Sequence, residues 1–244
     1  MRYFLLIILF VLVACKPEYT AQQIVDLSLE KSGVNKIKNA TLSFTFRDKL
    51  YEAKRSDGNY EYTKITKSDT LLIRDVLSNK GFERYNNNEL IILSNKDENR
   101  YSNSVNSVHY FSVLPLGLND KAVNKKLLEP VTIKGKEYYK VQVTFNKDGG
   151  GDDFDDIFLY WFNKKTFNLE FLAYKYHTSG GGVRFRDIKK EHFVEGVRLL
   201  DYNNYKPMNK NVDFISIDKL YEEDKLKKVS EILLENIKIN LNDK

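Results

Sequence analysis

Apolar and polar residues alternate with two different periods along the chain, and the change falls near residue 40. From Thr20 to Lys38, the apolar positions Ile24, Val25, Leu27, Leu29 and Val34 trace one helical face. Thr20 can cap this helix, and Gly33 ends or interrupts it. From Ala40 the period becomes two, with Leu42, Phe44 and Phe46 set against Thr41, Ser43 and Thr45 and a tight turn near Asp48. Asp57-Gly58-Asn59 predicts a hairpin, and short strands follow at Thr70 to Val76, Gly81 to Tyr85 and Glu89 to Leu93. Between Asp97 and Leu116, Tyr101, Val105, Val108 and Phe111 recur at three- and four-residue steps, which predicts a helix laid over one sheet face. Strands resume at 128–133, 137–146, 154–163, 167–177, 183–193 and 197–205. The tail from Leu226 fits a helix through Val229, Ile232, Leu233 and Ile237; Ile237 and Ile239 favour strand.

Two of these strands do not alternate. Phe154, Phe158, Tyr160 and Phe162 share one parity, while Ile157, Leu159 and Trp161 fill the other. The next strand repeats this, with Phe167, Leu169, Phe171 and Ala173 against Leu172, Tyr174 and Tyr176. Both faces therefore need cover, whereas a half-solvated antiparallel strand would be polar on one side. The expected fold is mainly β (α+β): a strongly curved antiparallel sheet, or incomplete β-barrel, with the N-terminal helix and the inserted helix covering its concave face. Its hollow either holds an apolar molecule or is filled by the protein's own side chains.

The 244 residues include 16 Tyr and 15 Phe, a composition that favours strands, and show no repeat or linker, so one domain over 21–244 is the economical reading. The 39 basic and 34 acidic residues are mixed along the chain, without the concentrated patch that nucleic-acid binding requires. Residues 1–14 read as a signal peptide: one Arg, then an apolar run shorter than the roughly 20 residues needed to span a bilayer. Leu12-Val13-Ala14-Cys15 resembles a bacterial lipobox, which implies cleavage after Ala14 and a lipid on Cys15, with 15–20 as a tether. Lys16 stands where an aspartate would resemble the inner-membrane retention signal, so an outer-membrane anchor facing the periplasm is expected. With its one cysteine lipidated, the protein has neither disulfide nor thiol chemistry.

A helix of the form "IVDLSLEKSGVNKIKNATLSFTFR", followed by an antiparallel meander with one helical insertion, resembles the outer-membrane lipoprotein carriers and receptors of the LolA/LolB type. That resemblance implies an incomplete barrel around an apolar cavity lidded by helices. The stretches "GGGDDFDDIFLYW", "YKYHTSGGGVRFRD" and "DYNNYKP" resemble an uncharacterised family of Bacteroidota envelope lipoproteins.

Two glycine loops carry the candidate chemistry. Alternate turns of a meander lie at the same end of a sheet, so Gly149–Asp156 and His177–Asp187 should be neighbours. Asp152, Asp153, Asp155 and Asp156 then need counter-charge, and Arg184 and Arg186, which share a parity, could supply it through a structural salt-bridge network. Calcium on the carboxylates is an alternative, without the spacing of an EF-hand; so is a transition metal at His177, for which one histidine is few. A third is a clamp in which Arg184, Arg186, His177 and Thr178 hold an anionic head group at the mouth of a hollow walled by Trp161 and Tyr174. His109 reads as an ordinary helix residue and His192 as a strand residue at the sheet edge. No serine elbow, HExxH or phosphate-binding loop is present. The expectation is a non-enzymatic protein without cofactor, whose partners are the membrane and a lipid or lipoprotein acyl chain. A structural or interaction protein with no ligand is the alternative.

Overall fold

A computed structural model describes residues 19–149, 154–209 and 211–242. Cys15 with its leader, and Asp152 and Asp153 of the first glycine loop, lie outside the described residues. Helix α1 (Ala21–Ser32) starts on a capping box: the Thr20 hydroxyl accepts from the Gln23 N–H, and the Gln23 side chain accepts from the Thr20 N–H. It stops at Gly33, in the left-handed region at φ +66. A Cβ there would stand 2.1 Å from the Gly196 carbonyl oxygen, so glycine lets the helix end press against a neighbouring hairpin. A 3-10 turn, Val34–Asn39, leads into the first sheet.

Strands β1 (Ala40–Phe46), β2 (Lys49–Ser56), β3 (Asn59–Lys67), β4 (Leu72–Ser78), β5 (Gly81–Asn86) and β6 (Glu89–Leu90) form an antiparallel meander. Helix α2 (Asn95–Ser112), capped by Ser94, then leads to the second sheet. That sheet contains β7 (Val123–Ile133), β8 (Lys136–Phe145), β9 (Ile157–Asn163), β10 (Leu169–Tyr176), β11 (Gly182–Val194) and β12 (Val197–Pro207). A short helix α3 (Ile217–Glu222) precedes β13 (Leu226–Ile232) and β14 (Glu235–Leu241). Several hairpins turn on two consecutive residues with positive φ, among them Asp57–Gly58 and Glu195–Gly196; this is the geometry that matches strand twist.

The tail is strand, and it is split between the sheets. β13 adds to β12 and β14 to β1, with only Leu233 and Leu234 between them. Leu234 is buried and donates its N–H to Asp201 Oδ1 at 2.8 Å. Two seven-stranded sheets are thus joined along one side, and β6 and β7 remain as edges, so the barrel is not closed. α2 lies inside the curve, between the two sheets. It packs on β3, β4 and β5, and its far end reaches the second sheet, where Tyr110 and Tyr160 hydroxyls lie 2.9 Å apart.

The apolar residues divide into two cores. Ile24, Val25 and Leu29 of α1, Leu42 and Phe44 of β1, and inward residues of the second sheet form the larger one, inside the curve. On β9, Phe158, Tyr160 and Phe162 point to it, while Leu159 and Trp161 point outward into a second core with Phe214, Ile217 and Tyr221. The doubly apolar strands therefore have a reason on each face: helices and a cavity within, and the α3 segment outside. That segment is fixed by a buried ion pair, Lys140 Nζ to Asp218 Oδ1 at 2.5 Å, and by the Ile215 carbonyl, which also accepts from Lys140. His192 is not at an edge, because β11 runs between β10 and β12; its Nε2 lies 2.9 Å from Asp201 Oδ2. Among the described residues no helix is long and apolar enough to cross a membrane.

Candidate functional site

The concave side keeps a cavity of about 1130 Å³, bordered by α2 and both sheets. Tyr110 and Phe111 of α2 pack against Phe158, and Phe111 against Tyr174, with ring centres 5.1 to 6.3 Å apart, and these rings border the cavity together with Leu200 and Tyr202. Burial pushes the Tyr202 phenol up to about 12, with Arg186 and Arg198 pulling the other way, so its hydroxyl stays protonated at neutral pH.

Arg186 reaches this wall through strand register. Arg184 lies opposite Tyr174 and Arg186 opposite Leu172, which puts both arginines on the inner face. Arg186 is 7% exposed; a terminal guanidinium nitrogen donates to the Tyr174 hydroxyl at 3.0 Å, and its head lies 4.1 Å from the Phe111 ring centre. Its Nε is buried with no acceptor among the described residues. Arg184, nearer the loop and less buried, donates to the Val183 carbonyl at 2.9 Å and lies over Tyr176.

The two glycine loops do meet, but through histidine. His177 Nδ1 lies 3.5 Å from both Asp155 Oδ2 and Asp156 Oδ1, and its backbone N–H donates to Asp156 Oδ1. Among the described residues neither arginine has a carboxylate within ion-pair distance, so the expected network with Asp155 and Asp156 is not formed. The register explains this: Arg186 lies four residues beyond Gly182, where its head turns onto Phe111 and away from the rim. The second run of glycines serves the backbone, since Gly180 and Gly181 have φ of +87 and +71. Asp155, Asp156 and His177 bring three donor atoms within 4.8 Å of one another. Calcium takes about six to eight oxygens, so two carboxylates beside an imidazole do not by themselves make its shell.

A second polar group borders the cavity from the first sheet. Arg55 of β2 is 7% exposed; its Nε donates to the Tyr62 hydroxyl at 3.2 Å, and one terminal nitrogen is buried without a partner. Beside it, His109 of α2 is fully buried against Tyr62, Tyr51 and Phe44. Its Nε2 is 3.1 Å from the Thr63 carbonyl, which can only accept, so Nε2 carries the proton and Nδ1 is a bare acceptor with no partner. Burial lowers its pKa to about 3, and the Arg55 charge acts in the same direction against the Thr63 hydrogen bond.

A family model described as a family of unknown function, DUF6503, matches residues 1–236. The chain belongs to that family. Among solved structures it is similar to a LolA superfamily protein from Nitrosomonas europaea, at 11% identity and a TM-score of 0.52, covering 93% of this chain and 95% of that one. It is also similar to a DUF1329 family protein from Desulfovibrio piger, at 10% identity and a TM-score of 0.46, covering 92% and 95%. No curated protein matches the sequence. The LolA-like fold anticipated from the layout of elements is the fold observed.

Of the residues singled out from sequence, Arg184, Arg186, Tyr174, Thr178 and Asp156 border the cavity. His177 and Asp155 sit beside it, exposed at the rim. Trp161 does not reach the cavity, because its parity turns it into the outer core. Arg55 and His109 were missed as site residues. The available signals were a basic residue in the buried parity of β2, with Tyr51 and Ala53, and a histidine one turn beyond Val105.

Proposed function

We propose that this protein is a lipid-anchored envelope protein, held to the outer membrane through Cys15 and facing the periplasm, that binds an apolar or amphipathic molecule between its two sheets. The cavity carries this reading. Its volume lies just above the roughly 300–1,000 Å³ found for small-molecule sites, and aromatic rings from α2 and the second sheet line it. Burying an acyl chain of about a dozen carbons contributes on the order of 10 kcal/mol before the costs of association. The fold likeness supports the scaffold, and the lining supports the ligand class. A lipid and the acyl chain of a lipoprotein share that chemistry. Nothing in this reading requires a nucleophile or proton relay, so the protein acts as a binder and not as an enzyme.

Native mass spectrometry of the full-length protein purified from its own membranes tests this. The expected result is a population with excess mass that organic extraction removes and identifies as lipid. A single mass that extraction leaves unchanged would favour a scaffold with a self-filled interior.

A further inference from the structure

Among the described residues, two buried positive charges line the cavity without a carboxylate partner. Five basic side chains are buried among the described residues: Arg55, Lys64, Lys140, Arg186 and Arg198. Lys64 lies 3.4 Å from Asp75, Lys140 2.5 Å from Asp218 and Arg198 2.6 Å from Glu191. Among the described residues Arg55 and Arg186 have no carboxylate partner, and of the five they are the two that line the cavity. Each also has a buried guanidinium nitrogen with no acceptor among the described residues, a feature shared by the paired Arg198. A guanidinium cannot shed its charge, so one that is buried beside a cavity with only hydroxyl and aromatic partners favours an anion next to it. The rest of the lining leans the same way. Among the described residues, Lys38, Arg100 and Arg184 add to the positive side, and Asp120 and Asp156 are the acidic ones bordering the cavity.

From this we infer that the molecule held in the cavity carries an anionic head, a carboxylate or phosphate, taken by Arg186, with Arg55 supplying a second positive charge from the opposite sheet. The inference rests on the proposed binding role and names its ligand class. Arg186 already donates to the Tyr174 oxygen, which leaves the hydrogen of that hydroxyl available to the same anion. The tail then lies along the aromatic wall of Phe111, Phe158 and Tyr202.

Titration calorimetry of the full-length protein with dodecanoate, dodecyl phosphate and dodecanol separates the two ideas. The two anions should bind about ten-fold tighter than the alcohol or better, as expected for charge-assisted hydrogen bonds replacing neutral ones. Whichever anion binds tighter identifies the head group as carboxylate or phosphate. R186Q should lose that preference while keeping the affinity for dodecanol, and R55Q should lose part of it. Thermal unfolding gives a second readout: added dodecanoate should raise the Tm of the native protein and leave that of R186Q unmoved. R186Q should itself unfold no lower than the native protein, since the substitution removes an uncompensated charge. Equal affinity for anions and alcohol, or a preference that survives R186Q, would overturn the anionic inference and leave the cavity reading standing. Binding of none of the three probes would remove both.

Discussion

His109 shows how one buried side chain makes stability depend on pH. In the unfolded chain it takes up a proton near pH 6.5; in the folded protein, burial among Tyr62, Tyr51 and Phe44, with the Arg55 charge alongside, delays this to about 3. Between those values the unfolded state holds one more proton than the native state. The contribution of a neutral His109 is therefore complete above pH 6.5 and drains away as the pH falls toward 3. Urea unfolding from pH 7 to 4 should show the native protein losing stability faster than H109Q, by up to about 1.4 kcal/mol per pH unit. Glutamine keeps an amide donor for Thr63 but cannot titrate. Parallel profiles would mean that His109 is not held neutral. The sequence showed only a histidine on a helix; its depth depends on β1, β2 and β3, far away along the chain, which no local pattern reports. Arg186 was easier to read, since the parity it shares with Arg184 fixed its face. Its choice of Phe111 over the aspartates depended on how far α2 reaches.

Among elements, the strands and their hairpins were legible because each carries its own signal, in alternation and in turn residues such as Asp57-Gly58. α3 was not, since six residues give too little periodicity, and its partner face lies on strands far away in sequence. What holds it is the buried Lys140–Asp218 pair together with Ile217 and Tyr221. D218A should destabilise the protein by about 3–5 kcal/mol, because it leaves the Lys140 ammonium buried and unpaired. The double substitution K140M/D218L should recover most of that loss, with urea midpoints as the measure. Equal losses in the single and double variants would show that the charge pair is not what fixes the segment. The same element explains the misplacement of Trp161. From sequence its apolar parity reads as a wall of the hollow, whereas in the fold it packs against the α3 segment outside.

Across the whole molecule, the two sheets are joined by the β13–β14 crossing, α2 runs from the first sheet to the second inside the curve, and a cavity remains between. Curvature and hollowness could be anticipated from strands apolar on both faces. The size of the hollow could not, because it is what remains after α1, α2 and their side chains have filled the rest. The central claim is that this remaining space holds an apolar chain. Photo-crosslinking tests it most directly, using the full-length protein and an acyl chain that carries a diazirine near its end, with the labelled peptides mapped by mass spectrometry. The account predicts label on the far end of α2 around Phe111 and on the inner residues of β9 and β12, such as Phe158 and Tyr202. Label confined to the exposed Leu90 and Ile92 at the β6 edge, or no label above background, would contradict it.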